Sequence, residues 1–243
     1  MSPPRFHCTS PLAPNQRIEL PADLAHHAVR VLRLRHGAPI VLFDGGGGYY
    51  PASLELEGRQ AWAQLGDHID AEMELPVCIT LAQGIAGGDK MDWIVEKAVE
   101  MGVSRLVPLT AKRSIIQLSS ERQEKRLRHW RRIAVSASEQ CGRNRIMEVA
   151  APRSPAQWLA EAEAGLLRLA CHPDAGLGLT EAVQGHEGPL ALMVGPEGGW
   201  SDEELALMHE HQLKMARFGR RVLRTETAGI ALMAALAAIK RWD

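Results

Sequence analysis

From Val77 onward the chain alternates short apolar runs with helical periodicity, and this alternation limits the possible folds more than any other feature. Val77 to Ala82 is a continuous apolar run of the kind that forms a strand buried on both faces. Lys90 to Met101 places Met91, Ile94, Val95, Ala98 and Met101 at i, i+3, i+4 spacing, which predicts a helix closed by Gly102. Arg105 to Leu109, Leu167 to Cys171 and Leu190 to Val194 read as further strands, with a short one at Lys214 to Phe218. Ser120 to Glu139, Ser201 to His211 and Thr225 to Lys240 read as helices. Strands alternating with helices imply a parallel sheet covered on both faces, and ligands of such sheets sit beyond the carboxyl ends of the strands.

The residues before Val77 follow another pattern. Ala22 to Leu34 predicts a helix with Leu24, Ala28, Val31 and Leu32 on or near one face. Three β-like runs follow, at Ile40 to Phe43, Ala52 to Leu56 and Ala61 to Leu65, separated by Gly- and Asp-containing turns. Gly45 to Gly48 is the sharpest turn signal. A phosphate cradle would need a helix after the glycines, whereas Tyr49-Tyr50-Pro51 leads into a strand, so a hairpin is expected. The chain therefore divides into a small β-rich domain over 1–72 and an α/β domain over 73–243.

A hydrophobic fraction of 46% in 243 residues is enough to bury a sizeable core. No apolar run approaches the ~18 residues of a membrane span, and the N-terminus lacks the apolar core of a secretory signal. Cys8, Cys78, Cys141 and Cys171 are scattered and form no CxxC pair, so neither a zinc site nor a disulfide framework is expected. A reducing, cytoplasmic setting with no metal follows. The net charge of −1 hides a segregation of signs. Residues 1–35 carry five Arg against two acids, 112–153 eleven Lys/Arg against four, and 213–243 seven against two. The intervening 44–74 and 154–212 are acidic. Basic blocks of this kind either face a polyanion or are solvated faces paired with acids across the fold.

Three strand ends carry unusual chemistry. Cys171-His172-Pro173 follows one apolar run, and Gly195-Pro196-Glu197-Gly198-Gly199-Trp200-Ser201 follows another. Glycines allow close backbone approach, while Ser201-Asp202-Glu203-Glu204 supplies a helix cap and first-turn acids that would repel phosphate. A neutral or cationic ligand suits this loop. The third segment, 219–227, holds Arg220, Arg221, Arg224, Thr225, Glu226 and Thr227 ahead of a small-residue helix. Arginine's planar fork suits phosphate or charge developing on a base. The small-residue helix suits a packed core, with a dimer face as the second reading. His209-Glu210-His211 lacks metalloprotease spacing, His26-His27 has no accompanying ligand cluster, and Cys141 has no nearby His to activate it.

At these motifs the chain resembles the 16S ribosomal RNA (uracil-N3)-methyltransferases of the SPOUT (trefoil-knot) superfamily. Glu139-Gln140-Cys141-Gly142-Arg143, Gly195-Pro196-Glu197-Gly198-Gly199 and Leu223-Arg224-Thr225-Glu226-Thr227-Ala228 look like the family's strongest signatures and occur in order. Lys97-Ala98-Val99-Glu100-Met101-Gly102-Val103 is similar to its K-x-x-E-L-G-V helix end. His26-His27, Val31-Leu32-Arg33-Leu34 and Leu42-Phe43-Asp44-Gly45 resemble its N-terminal PUA-like RNA-binding domain. The chain departs from the family at Ala111-Lys112-Arg113-Ser114, where only Arg113 and Ser114 carry over, and at Phe218-Gly219, where Leu-Gly is usual.

The resemblance implies a C-terminal SPOUT-type parallel sheet with a deep trefoil knot, a homodimer, and 16S rRNA of the small ribosomal subunit as partner. It implies S-adenosyl-L-methionine as cofactor, bound by His172, Gly195, Pro196, Glu197, Gly198, Gly199, Phe218, Gly219, Val222, Leu223 and Arg224. Arg224 is then expected to stabilise charge on uracil, and Glu226, ahead of Glu197, to act as base or orienting group; Glu226 as a helix-start carboxylate paired with Arg220 or Arg224 is the alternative. Arg5, Arg30, Arg33, Arg113, Gln140 and Arg143 are expected to contact RNA. Methylation at another RNA position and a non-catalytic ribosome-assembly role are the competing functions. A small-molecule or nucleotide hydrolase on an α/β sheet lacks support, since no P-loop, nucleophile elbow or metal cluster is present.

Overall fold

The alternation that begins at Val77 builds a seven-stranded sheet in which every pairing is parallel. The computed structural model describes residues 2–114, 120–161 and 165–242. By contacts the chain splits into two units, one of 1–74 with 135–146 and one of 75–134 with 147–243.

In the second unit the strands are β6 (Ile79–Gly84), β7 (Arg105–Leu109), β8 (Glu148–Val149), β9 (Leu167–Cys171), β10 (Leu177–Gly178), β11 (Leu190–Val194) and β12 (Lys214–Arg217), numbered after five strands of the first unit. Their spatial order is β10-β12-β9-β11-β6-β7-β8. The apolar runs explain why β11 and β6 lie centrally: all of β11 is buried, as is β6 apart from the half-buried Thr80. Alternate residues face opposite sides. Ala82, Val107, Ala170, Ala191 and Met193 pack with Trp158 and Leu159 of α4 (Pro155–Leu159) and Met208 of α6 (Asp202–Glu210). On the other side, Leu81 and Gln83 lie against Gly229 of α7 (Thr225–Lys240), which also packs on α2 (Lys90–Glu100). The short α5 (Leu179–Ala182) follows β10. As expected from its spacing, α2 buries Met91, Ile94, Val95 and Ala98. Expected strand and helix ends hold within two residues; β6 is displaced toward Gly84 because its polar Gln83 is buried with its amide hydrogen-bonded. The strands β8 and β10 have two residues each, too short for periodicity to reveal.

α3 (Ser120–Cys141) is the long basic helix. Its residues up to 134 belong to the second unit, where Asp92 of α2 accepts from Trp130 Nε1 (3.2 Å) and lies 2.6 Å from His129 Nε2.

The first unit is a five-stranded sheet, β1 (Arg5–His7), β2 (Arg17–Glu19), β3 (Pro39–Phe43), β4 (Tyr50–Glu57) and β5 (Gln60–Leu65), in the order β1-β3-β4-β5-β2. β3 and β4 pair antiparallel, so the four glycines between them close a hairpin, with Asp44 Oδ1 accepting from Gly46 N. The helix expected over 22–34 is shorter: α1 (Ala22–His26) runs into a π-helical turn, His27–Val31, and ends as Arg33 takes φ 55°. Leu24 and Ala28 seat this segment on a core of Phe6, Ile18, Ile40, Leu42 and Leu54. The end of α3 joins this unit, where Glu139 accepts from His7 N (2.9 Å). Among the described residues no helix is long and apolar enough to cross a membrane.

Candidate active site

The carboxyl ends of β9, β11 and β12 open onto one cavity of 470 Å³. Cys171 at the end of β9 lines it with His172 and Asp174 after that strand; Gly195, Pro196, Glu197, Gly199 and Trp200 line it after β11, and Phe218, Gly219 and Arg221 to Glu226 after β12. Lys90 at the start of α2 and Arg113 after β7 complete the wall. Such a volume matches a small-molecule site. The end of β6 sets the position of the middle loop. A Cβ at Gly84 would meet Pro196 N at 2.5 Å and Gly195 C at 2.9 Å, so only glycine permits this approach.

Hydrogen bonds lock the loops to one another. Gly199 N donates to Pro196 O (2.9 Å), closing a turn. Ser201 Oγ accepts from Glu204 N, and Glu204 Oε2 accepts from Ser201 N, a reciprocal cap on α6. The other oxygen of Glu204 accepts from Lys112 N (2.9 Å), which ties in the loop that carries Arg113. At the start of α7, Thr225 Oγ1 donates to Gly195 O (2.6 Å) and accepts from Gln83 Nε2 (2.9 Å). With Glu204 on its first N–H groups and Asp202 and Glu203 beside them, α6 does not present an anion site.

The charges are arranged asymmetrically. Glu197 Oε1 accepts from Gly87 N and from Lys90 Nζ, each at 3.0 Å. Lys90 Nζ also stands 3.9 Å from Glu226 Oε2. Burial works against ionisation of Glu197, but the hydrogen bonds from Gly87 N and its own N–H, with the Lys90 ammonium, outweigh it and hold the carboxyl below its usual range. Glu197 Oε2, Glu226 Oε2 and Trp200 Nε1 are buried with no hydrogen-bond partner among the described residues. Burial pushes the Cys171 thiol up to about 12, which disfavours the thiolate form that a nucleophile needs. Two carboxylate oxygens without hydrogen-bond partners among the described residues, an indole donor and apolar walls from Phe218, Val222 and Leu223 fit a partly apolar ligand that carries positive charge.

Of the residues expected to bind a ligand, His172, Gly195, Pro196, Glu197, Gly199, Phe218, Gly219, Val222, Leu223 and Arg224 line the cavity, as does Glu226. Gly198 does not: its side-chain direction faces Arg113, where a Cβ would meet Arg113 Cβ and O at 2.8 Å. Arg113 itself stands on the cavity wall. Arg30, Arg33 and Gln140 are exposed. Arg5 is half-buried, stacked over Phe43 and Tyr49 and bonded to Asn144. Arg143 is buried, with Nε and Nη2 bound to Glu74 at 2.9 and 2.5 Å. Other members of the 112–153 basic block also pair with acids: Lys112 with Glu203, Arg145 with Glu72 and Arg153 with Glu161. Arg122, Lys125, Arg128, Arg131 and Arg132 of α3 remain exposed. Sequence reasoning passed over Lys90, read only as a helix start, along with Thr225 and Trp200 as parts of the wall. Lys90 did carry a signal, because a cation in the first turn opposes the helix dipole and calls for a partner elsewhere.

Comparison with known proteins shows the family of the whole chain. The RNA methyltransferase domain family model matches residues 73–237, and that of the RNA methyltransferase PUA domain matches 20–62. The ribosomal RNA small subunit methyltransferase E of Synechocystis is 32% identical over 239 residues, covering 94% of this chain and 76% of the relative. The protein of the same name from Bacillus subtilis is 28% identical, covering 87% of this chain and 86% of its own. The crystal structure of a ribosomal RNA small subunit methyltransferase E from Neisseria gonorrhoeae, bound to S-adenosyl methionine, matches with a TM-score of 0.91 at 34% identity, over 98% of each chain.

Proposed function

The chain belongs to the RNA methyltransferase family, and on that premise we propose that it transfers a methyl group from S-adenosylmethionine to N3 of a uridine in 16S rRNA of the small ribosomal subunit. The observation that carries this reading is a cavity lined by three strand-end loops, with Arg224 and Glu226 in its wall. The relatives and the neighbouring structure act, by name, on ribosomal RNA, and that structure holds the cofactor. The uridine and its N3 come from the resemblance at the three signature motifs.

The residues suit the cofactor. Among the described residues Glu197 Oε2 and Glu226 Oε2 have no hydrogen-bond partner, the latter having only the Lys90 ammonium at 3.9 Å, and they would accept a cationic neighbour, while Phe218, Val222 and Leu223 offer apolar surface. When bound, S-adenosylmethionine supplies an electrophilic methyl group on a sulfonium. The protein must then orient uracil, exclude water and manage one proton. As the bond from N3 to the methyl carbon forms and the carbon–sulfur bond breaks, the N3 proton passes to a carboxylate. Glu226 takes that role. Glu197 is the poorer base, since Gly87 N and Lys90 occupy one oxygen and hold the group ionised. Arg224 offsets negative charge spreading onto O2 and O4 of the base. In this reading 73–243 is the catalytic domain, a SPOUT methyltransferase that acts as a homodimer in the cytoplasm. Residues 1–72 engage RNA, with exposed Arg30 and Arg33 among the contacts.

The test is mass spectrometry of nucleosides from small subunits that lack the modification, incubated with enzyme and cofactor. 3-Methyluridine is expected, and Arg224→Ala should abolish turnover far more than RNA binding. Label on C5, on a ribose oxygen or on guanine refutes the assignment.

A further inference from the structure

Lys90 reaches the cavity from a helix, not from a strand-end loop. Lys90 opens α2, a helix whose Met91, Ile94 and Val95 are core, and its ammonium lies between two carboxylates from different elements. Glu197 belongs to the loop after β11 and Glu226 to the first turn of α7, at 3.0 and 3.9 Å from Nζ. Each of these carboxylates has a buried oxygen with no hydrogen-bond partner among the described residues. Arg113, Arg221 and Arg224 line the same cavity, yet among the described residues none forms an ion pair with either carboxylate.

We propose that Lys90 is a positioning residue of the methyl-transfer site, its one ammonium holding Glu197 and Glu226 together and so joining the 195–199 loop to the start of α7. The inference rests on reading this cavity as the methyl-transfer site. Its physical basis is that two partly buried like charges repel unless a cation stands between them, and removing that cation leaves both uncompensated. A lysine in the first turn works against the helix dipole, so the carboxylates, not α2, account for its place. Without the ammonium the loop and the helix turn separate, which loosens the cofactor site and misplaces Glu226.

The test uses the full-length protein, calorimetric titration with S-adenosylmethionine, and methyl-transfer kinetics. Lys90→Met is expected to weaken cofactor affinity about tenfold and to lower kcat as well, whereas Lys90→Arg stays within about threefold of wild type. Glu197→Gln should weaken binding in the wild-type background but restore it in Lys90→Met, because neutralising one carboxylate removes the repulsion. A merely structural lysine would give independent, multiplicative losses in the pair. Wild-type affinity and turnover in Lys90→Met overturn the inference, as do multiplicative losses. Should Lys90→Met not fold, recovery of the fold in Lys90→Met/Glu197→Gln supports it and no recovery overturns it. A folded wild type that binds no S-adenosylmethionine overturns the functional reading instead.

Discussion

At Glu197 two opposed effects meet: burial disfavours the charge, and two N–H groups with Lys90 stabilise it more strongly. A carboxyl held below its unfolded value of 4.5 contributes stability above that pH, and the contribution is lost as pH falls through the lower folded value. Denaturant midpoints should therefore show wild type exceeding Glu197→Gln near neutral pH, with the gap closing as the pH falls below the usual carboxylate range; a gap independent of pH would contradict this. Gly198 acts at the same scale by a different route. A Cβ there meets Arg113 Cβ and O at 2.8 Å, so Gly198→Val should displace the Arg113 loop, cost about 1–3 kcal/mol and weaken cofactor binding. Calorimetry showing unchanged affinity in a folded, equally stable variant would remove the loop from the site. The glycine's place in the motif was legible in the sequence; the direction of its close contact was not. Arg143 makes the same point, since its partner Glu74 lies 69 residues away and a pairing at that separation has no local signature.

Among the elements, α6 and α7 are the most faithful to local rules. Ser201-Asp202-Glu203-Glu204 spells a capping box, and the structure forms it. Ser201→Ala should cost about 1 kcal/mol in thermal or denaturant unfolding. It should also loosen the Lys112 loop, because Glu204 serves both the cap and Lys112 N; no loss of stability would mean that the cap is redundant. The start of α7 was readable from its Arg-Thr-Glu-Thr segment, though not the chain Gln83–Thr225–Gly195 that anchors it. In the 22–34 segment the local pattern decides only part of the outcome. Of its expected apolar face Leu24 and Ala28 are buried but Val31 and Leu32 are exposed, because the segment passes into a π turn and the positive φ at Arg33 where it meets the sheet core.

For the whole molecule, the decisive fact is strand order. β9 pairs with both β11 and β12, so the chain leaving β11 passes over β9 before β12 begins. That crossing gathers the loops after β9, β11 and β12 around one cavity. The two units likewise do not divide at one point in sequence, since 135–146 packs with 1–74, and a cut near residue 74 would strip Arg143 and Glu139 of their partners. The exposed side of α7, with Ala234, Ala238 and Ile239, fits the proposed homodimer. Light scattering at micromolar concentration should give about twice the 26.7 kDa chain mass; a monomer would exclude the dimer.

The sequence by itself determined the class of the fold and the chemistry of the loops. Periodicity and caps are local, so short stretches suffice to place β7, β9, β11 and α7 at their observed positions. The signature motifs were enough to select the family. Only the tertiary structure decided which loops meet, that Lys90 stands between Glu197 and Glu226, and that Arg143 turns inward while Arg113 faces the cavity. These depend on pairings between residues far apart in the chain, whose free energy comes from burial and electrostatics realised only once the sheet has assembled.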